Sequence, residues 1–199
     1  MTVQLYVNGK DFGLEYALSF DGLDDYVEVP YSASLDISEA LTIMAWIKPA
    51  NLPYSECIIG GRYDIWRLMA QCYGYNEWGF RFQRSDSSWT DEFHANTQLQ
   101  NDVWYHVAVT YDGNKVKLYL NGDLDGEYSE TGLIQTGDYP FRLAHGVGAG
   151  QHYFGGVIDE VRVYNRALTL EEIRYESVSY THLRAHETSL HLVCRLLLE

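Results

Sequence analysis

The chain has 199 residues, 46% apolar and 21% charged, which is a globular composition long enough for one domain with a sizeable core. Its formal net charge of −14 repels phosphate backbones and anionic lipid, which excludes nucleic-acid binding and polybasic membrane docking. No apolar run approaches the roughly 20 residues of a spanning helix, and a 15% aromatic content with 17 Gly favours short strands over a helical bundle or a Rossmann-type domain.

Residues 1–16 read as a lead-in strand or linker, and the opening Met1-Thr2-Val3-Gln4-Leu5 lacks the basic and apolar regions of a signal peptide. Ala17–Phe20 and Tyr26–Val29 read as strands around the turn-rich Asp21-Gly22-Leu23-Asp24-Asp25. Leu41–Ile47 is apolar and β-rich and ends before Pro49. Cys57–Gly60 and Trp66–Cys72 read as a hairpin; Cys57 and Cys72 flank it, either as a disulfide or as two small buried thiols. Trp78–Gln83 alternates with period two, with Trp78, Phe80 and Phe82 on one face and Arg81 and Gln83 on the other. Val103–Tyr111 alternates likewise and turns through Asp112-Gly113 into Val116–Leu120, which ends at Asn121-Gly122. Phe141–Leu143 and Val157–Tyr164 complete the strands. Thr169-Leu170-Glu171-Glu172 is a capping box, with Leu168 and Ile173 placed for a hydrophobic staple, so a short helix begins near Leu170. Many short antiparallel strands with one closing helix predict an all-β, two-sheet sandwich of the jelly-roll type.

From Val178 the composition changes abruptly: residues 178–199 contain no Gly, Pro, Asp or Asn. This stretch resembles translated sequencing-adapter read-through and is set apart as a non-native tail. His182 and His186 stand at helical i, i+4 spacing, but with His191 they are read as part of that tail and not as a zinc site.

The intervening residues resemble a family. Ala17-Leu18-Ser19-Phe20-Asp21-Gly22 with Asp25-Tyr26-Val27, and then Leu41-Thr42-Ile43 with Ala45-Trp46-Ile47, are similar to the opening strands of laminin G-like domains of the concanavalin A-like lectin/glucanase superfamily. Trp104–Gly113 with Leu118–Gly122 resembles the central hairpin, and Gly155–Leu168 resembles the closing strand. The match covers residues 17–177 and implies a concanavalin A-like jelly roll, with Trp46 and Trp104 as core positions. The same sandwich carries lectins, carbohydrate-binding modules, adhesion domains and some enzymes, so fold alone does not assign the activity.

Retaining glucanases of this superfamily place acidic residues two apart on one strand, so that both carboxylates face one cleft. This chain has no Glu-x-Asp-x-Glu, and Asp91-Glu92 and Asp159-Glu160 are adjacent pairs that a strand would split between faces. Catalysis is therefore not expected. The resemblance implies a structural Ca²⁺ held by Asp21, Asp24 and Asp159; equally, Asp21 forms an Asx-turn and Asp159 an internal hydrogen bond. Asn121-x-Asp123-x-Asp125-Gly126 imitates the start of an EF-hand loop, but Gly132 stands where its last ligand belongs, and it reads as a polar hairpin turn.

Aromatics crowd the middle third. Tyr63, Trp66, Tyr73, Tyr75, Trp78 and Trp89 stand near Arg67 and Asn76, a mixture suited to stacking on sugar C–H faces and bonding sugar hydroxyls. Trp66 and Trp78 serve equally well as core. Trp89 lies in a Ser- and Asp-rich loop and is the leading exposed contact. His106 lies in a strand and reads as structural. The expectation is a non-catalytic carbohydrate-binding module of an extracellular or cell-surface multidomain protein, with a polysaccharide or glycoconjugate as partner. The alternatives are a protein-binding or architectural laminin G-like module and, third, a glycan-active enzyme.

Overall fold

The short alternating runs pair into two sheets. The structure is a computed structural model that describes residues 2–3, 17–52, 57–62, 65–71, 77–145, 153–184 and 196–198. Its strands are β1 (Thr2–Val3), β2 (Leu18–Asp21), β3 (Val27–Val29), β4 (Leu41–Asn51), β5 (Cys57–Arg62), β6 (Trp66–Gln71), β7 (Glu77–Phe82), β8 (Phe93–Gln98), β9 (Tyr105–Tyr111), β10 (Lys115–Leu120), β11 (Asp123–Ser129), β12 (Phe141–Leu143), β13 (Gly155–Tyr164) and β14 (Leu196–Leu198), with helix α1 (Leu170–Arg184). The first sheet has the order β1-β14-β13-β4-β9-β10-β11, with β2 also beside β13; the second has the order β3-β12-β5-β6-β7-β8. All pairings are antiparallel except that of β14 with β13. The jelly-roll sandwich expected from the sequence is present.

One core fills the space between the sheets. Ile43, Ala45, Val107, Val109, Val116 and Leu118 face it from the first sheet, and Trp66, Leu68, Trp78, Phe80, Phe82 and Phe141 from the second. The period-two reading of β7, β9 and β10 thus names the correct inward faces. The Asn121-Gly122 turn has φ of 53° and 88°, the paired left-handed conformation of a tight hairpin. β4 runs past Pro49 to Asn51, further than expected. Opposite Pro49 stands Gly156 at φ 139°, where a Cβ would lie 2.3 Å from the Lys48 carbonyl oxygen, so a bulge that only glycine can form accommodates the proline.

β8 and β11 are strands that the sequence reading did not single out. Each is the last strand of its sheet, and half or more of its residues are exposed or half-buried, so neither carries an apolar alternation. Side chains join these two margins. Asp125 accepts from Trp78 Nε1 at 3.1 Å and from Thr97 Oγ1 at 2.8 Å, while Tyr128 donates to the His94 carbonyl at 2.5 Å. The EF-hand-like string is therefore a hairpin whose Asp125 latches the sandwich shut.

The helix covers the outer face of the first sheet. Thr169 and Glu172 form the expected reciprocal cap, with Thr169 N donating to Glu172 at 2.8 Å and Glu172 N to Thr169 Oγ1 at 3.3 Å. Leu168 and Ile173 pack with Met44, Ala108, Tyr119 and Tyr164. The last buried helical residue described is Ser177, seated against the Gly122 turn; Val178 is exposed. The helix itself continues to Arg184, across the break in composition.

His106 is enclosed beneath the helix, 5.4 Å from the Trp46 ring, and its Nδ1 has no hydrogen-bond partner. Burial, reinforced by the Arg162 charge, pushes its pKa down to about 3, so it is neutral and structural as expected.

Two outcomes follow for stability. Truncation after Ser177, which removes the end of the helix and β14, leaves the cooperative thermal transition within a few degrees, because Ser177 is the last buried helical residue described; loss of the transition contradicts this. The unfolded chain protonates His106 near pH 6.5 while the folded chain does not until about 3. Its effect on stability is therefore absent above pH 6.5 and grows as pH falls toward 3, at up to about 1.4 kcal/mol per unit. Denaturant titrations from pH 7 to 4 should show His106→Gln losing less stability than wild type over that window; parallel pH curves for the two proteins contradict the assignment.

Candidate functional site

Inward packing of one face fixes what the other face of the second sheet presents. Glu28 pairs with Arg142, Arg142 with Gly61, Gly61 with Arg67, and Arg67 with Arg81. Directly opposite residues share a face, so these five form one row across β3, β12, β5, β6 and β7. Strand spacing makes the row roughly 19 Å long. Beside it, Ile58 and Met69 form a small buried apolar cluster of their own on the outer side.

Trp89 closes one end of the row. An isolated bridge from Gln83 to Trp89 and the bond from Thr90 N to the Phe82 carbonyl, at 2.9 Å, bring the loop back against β7. The indole then lies 4.4 Å from the Arg81 guanidinium and 5.1 Å from that of Arg67. Trp89 is half-buried and not freely exposed, but it stands on the outer face and not in the core. Arg81 also meets Glu92 at 3.3 Å.

Aromatics close the other end. His145 stacks on Tyr153 at 4.4 Å and meets Tyr26 at 5.3 Å, and Arg142 lies 5.2 Å from the Tyr26 ring. Arg142 is held in turn by Glu28, its Nε donating at 2.7 Å. The sequence reading did not single out Tyr26, Arg142, His145 or Tyr153 as contacts. Tyr26 lies more than a hundred residues from the other three, and the pairing of β12 with β3 brings them together.

The loop leading to Tyr26 brings the carboxylate oxygens of Asp21, Asp24 and Asp25 within 4.8 Å of one another, all exposed. Asp21 Oδ1 accepts from Leu23 N at 2.8 Å, the expected Asx-turn, and Asp24 N also approaches it at 3.3 Å. The Leu23 amide is the main reason that the Asp21 carboxyl is held below its usual range. Three hard, exposed carboxylate donors suit Ca²⁺ by chemistry. Asp159 is not among them, which corrects the expected ligand set. Asp21 pairs with Gly155, and Asp159 lies four residues further along β13, roughly 13 Å away. It is buried, and its Oδ1 accepts from Glu160 N at 2.8 Å. Asp25 takes its place in the cluster.

The other expected contacts divide. Arg67 is on the outer face, nearly buried. Trp66 and Trp78 are wholly buried between the sheets, which resolves both toward core packing: Trp66 meets Phe141 at 5.7 Å, and Trp78 donates to Asp125. Trp46 is buried and Trp104 half-buried. Tyr63, Tyr73, Tyr75 and Asn76, and the side chains of Cys57 and Cys72, lie outside the described residues. Glu28 and Glu92 stand at opposite margins of the sheet, five strand spacings or roughly 24 Å apart. Paired glycosidase carboxylates stand about 5–10 Å apart. Among the described residues no helix is long and apolar enough to cross a membrane.

A laminin G-like model of the concanavalin A-like lectin/glucanases superfamily matches residues 20–174, and the chain belongs to this superfamily. Among solved structures, domain 4 of AbnA, an extracellular arabinanase from Geobacillus stearothermophilus solved with arabinotriose, superposes with a TM-score of 0.68 at 23% identity, covering 81% of this chain and 76% of that one. A candidate carbohydrate binding protein from Bacteroides ovatus superposes with a TM-score of 0.61 at 20% identity, over 83% of this chain and 47% of that one. The pentraxin of Limulus polyphemus gives 0.52 at 18% identity, over 78% and 82%. At these identities the likeness is one of fold.

If the aspartate loop holds calcium, Ca²⁺ raises the melting temperature and chelator lowers it, since a ligand bound only to the folded chain stabilises it by about 2.7 kcal/mol at a hundredfold excess over Kd. Asp24→Ala should abolish the response and Asp159→Asn should not. Equal melting points of wild type in calcium and in chelator contradict the site.

Proposed function

We propose that the chain is a non-catalytic carbohydrate-binding module, and that it holds glycan on the outer face of the second sheet. The observation that carries this reading is the row from Tyr26, His145 and Tyr153 to Trp89. It has aromatic rings at both ends and guanidinium groups between them, all on one face. Rings pack against sugar C–H faces while Arg, Glu and His groups bond hydroxyls, the mixture that orients a ligand in a polar site. The AbnA domain, solved with arabinotriose, and the Bacteroides candidate carbohydrate binding protein support the same reading by fold.

Asp21, Asp24 and Asp25 would hold Ca²⁺ at the Tyr26 end and brace the loop that carries this ring. A module of this kind belongs to a larger secreted or cell-surface protein that acts on or adheres to polysaccharide.

Calorimetric titration against arabinans, β-glucans, galactans and host-type glycans tests the reading. Trp89→Ala should weaken binding of every positive ligand by about 1–3 kcal/mol, the scale of a central aromatic anchor. Because Trp89 lies outside the core, its melting temperature should fall little. A mutant that binds like wild type removes Trp89 from the site. A wild type that binds none of the panel contradicts glycan binding and favours a protein partner.

A further inference from the structure

We propose that the glycan is acidic, and that Arg81 reads a uronate carboxylate beside Trp89; this rests on the glycan-binding reading above. Arg67 and Arg81 are directly opposite on adjacent strands, on one face. Two guanidinium groups facing one another across neighbouring strands concentrate positive charge at this end of the row. The chain as a whole has 28 acidic side chains against 14 Lys and Arg, so three arginines in one cross-strand row run against its composition.

The two outer arginines differ in how far they are satisfied. Arg142 gives its Nε and Nη2 to Glu28 at 2.7 and 2.6 Å and its Nη1 reaches His145 at 3.4 Å. Arg81 makes one long contact, 3.3 Å from Nη1 to Glu92, and its buried Nε has no partner. Its side chain remains 24% exposed. A guanidinium offers a planar fork of donors that matches a carboxylate in two parallel bonds, and at Arg81 Nη2 is unused while Nη1 makes only the long contact to Glu92. The Trp89 ring, 4.4 Å away, holds the guanidinium by cation–π attraction and offers its remaining apolar surface to the sugar that bears the carboxylate. A neutral sugar would leave the same donors to hydroxyls, which are weaker acceptors for a charged fork.

The test compares polygalacturonate, alginate and hyaluronan, each beside its carboxyl-esterified form, by titration of wild type, Arg81→Gln and Arg81→Lys at two salt concentrations. Expected is tighter binding of at least one acid polymer than of its ester, by roughly tenfold or more, weakening with salt. In Arg81→Gln that preference disappears, and Arg81→Lys restores only part of it because it keeps the charge and loses the fork. The Gln variant should melt within a few degrees of wild type, since the partly exposed Arg81–Glu92 pair contributes little to stability. The esterified polymers keep the comparison valid on wild type alone should a variant fail to fold. Equal binding of acid and ester, or a preference that survives in Arg81→Gln, overturns the inference and leaves glycan binding standing. So does binding of neutral polysaccharides alone. Binding of no polysaccharide at all overturns both.

Discussion

Side-chain alternation along β6 and β7 is the constraint on which the rest of the second sheet depends. Trp66, Leu68, Phe80 and Phe82 all face inward and are wholly buried. Burying each large apolar side chain contributes about 1.5–3 kcal/mol, so these four together contribute about 6–12. The net stability of a domain is about 5–15 kcal/mol. A slip of one residue would turn these groups outward and carry Arg67 and Arg81 into the core, at a cost comparable to the whole fold. Core packing therefore fixes the outer face: once the aromatics are inside, the guanidinium groups must stand in a row.

The ends of that row are set by different forces. At one end a short loop returns from β7, and Trp89, which has no place in a filled core, lies across two guanidinium groups. At the other, the pairing of β12 with β3 brings Arg142 to Glu28 and places His145 near Tyr26. Partly exposed ion pairs of this kind contribute little to stability, roughly 0–1 kcal/mol each. The face thus combines rigid strands with side chains whose arrangement folding barely rewards, which is a favourable ground for recognition. On the opposite face the helix covers part of the first sheet, packing Leu168 and Ile173 on Met44, Ala108, Tyr119 and Tyr164.

The sequence disclosed the parts of this structure that rest on local rules. Period-two alternation identified the inward faces of β7, β9 and β10; the Thr169–Glu172 box identified the start of the helix; Asn121-Gly122 identified the hairpin. β8 and β11 were not legible, because a margin strand buries few side chains and is held by pairing and by the Asp125 latch. The site was legible in part. Trp89 was recognisable as an aromatic in a polar loop, whereas Trp66 and Trp78 gave the same composition signal and are core. Asp159 suits calcium by residue type but not by place, since antiparallel pairing sets Asp21 against Gly155. Tyr26, Arg142, His145 and Tyr153 were invisible individually, and an aligned strand register was the one signal that would have joined them.

The most direct test of the central claim, that glycan is held on the outer face of the second sheet, is amide and indole chemical-shift mapping during titration with the tightest-binding oligosaccharide. Shifts should gather on β3, β12 and β5–β7, with the Trp89 indole among the largest, while the buried Trp66 and Trp78 indoles stay nearly still. Shifts confined to the helix side, around Tyr164 and Tyr175, would contradict it.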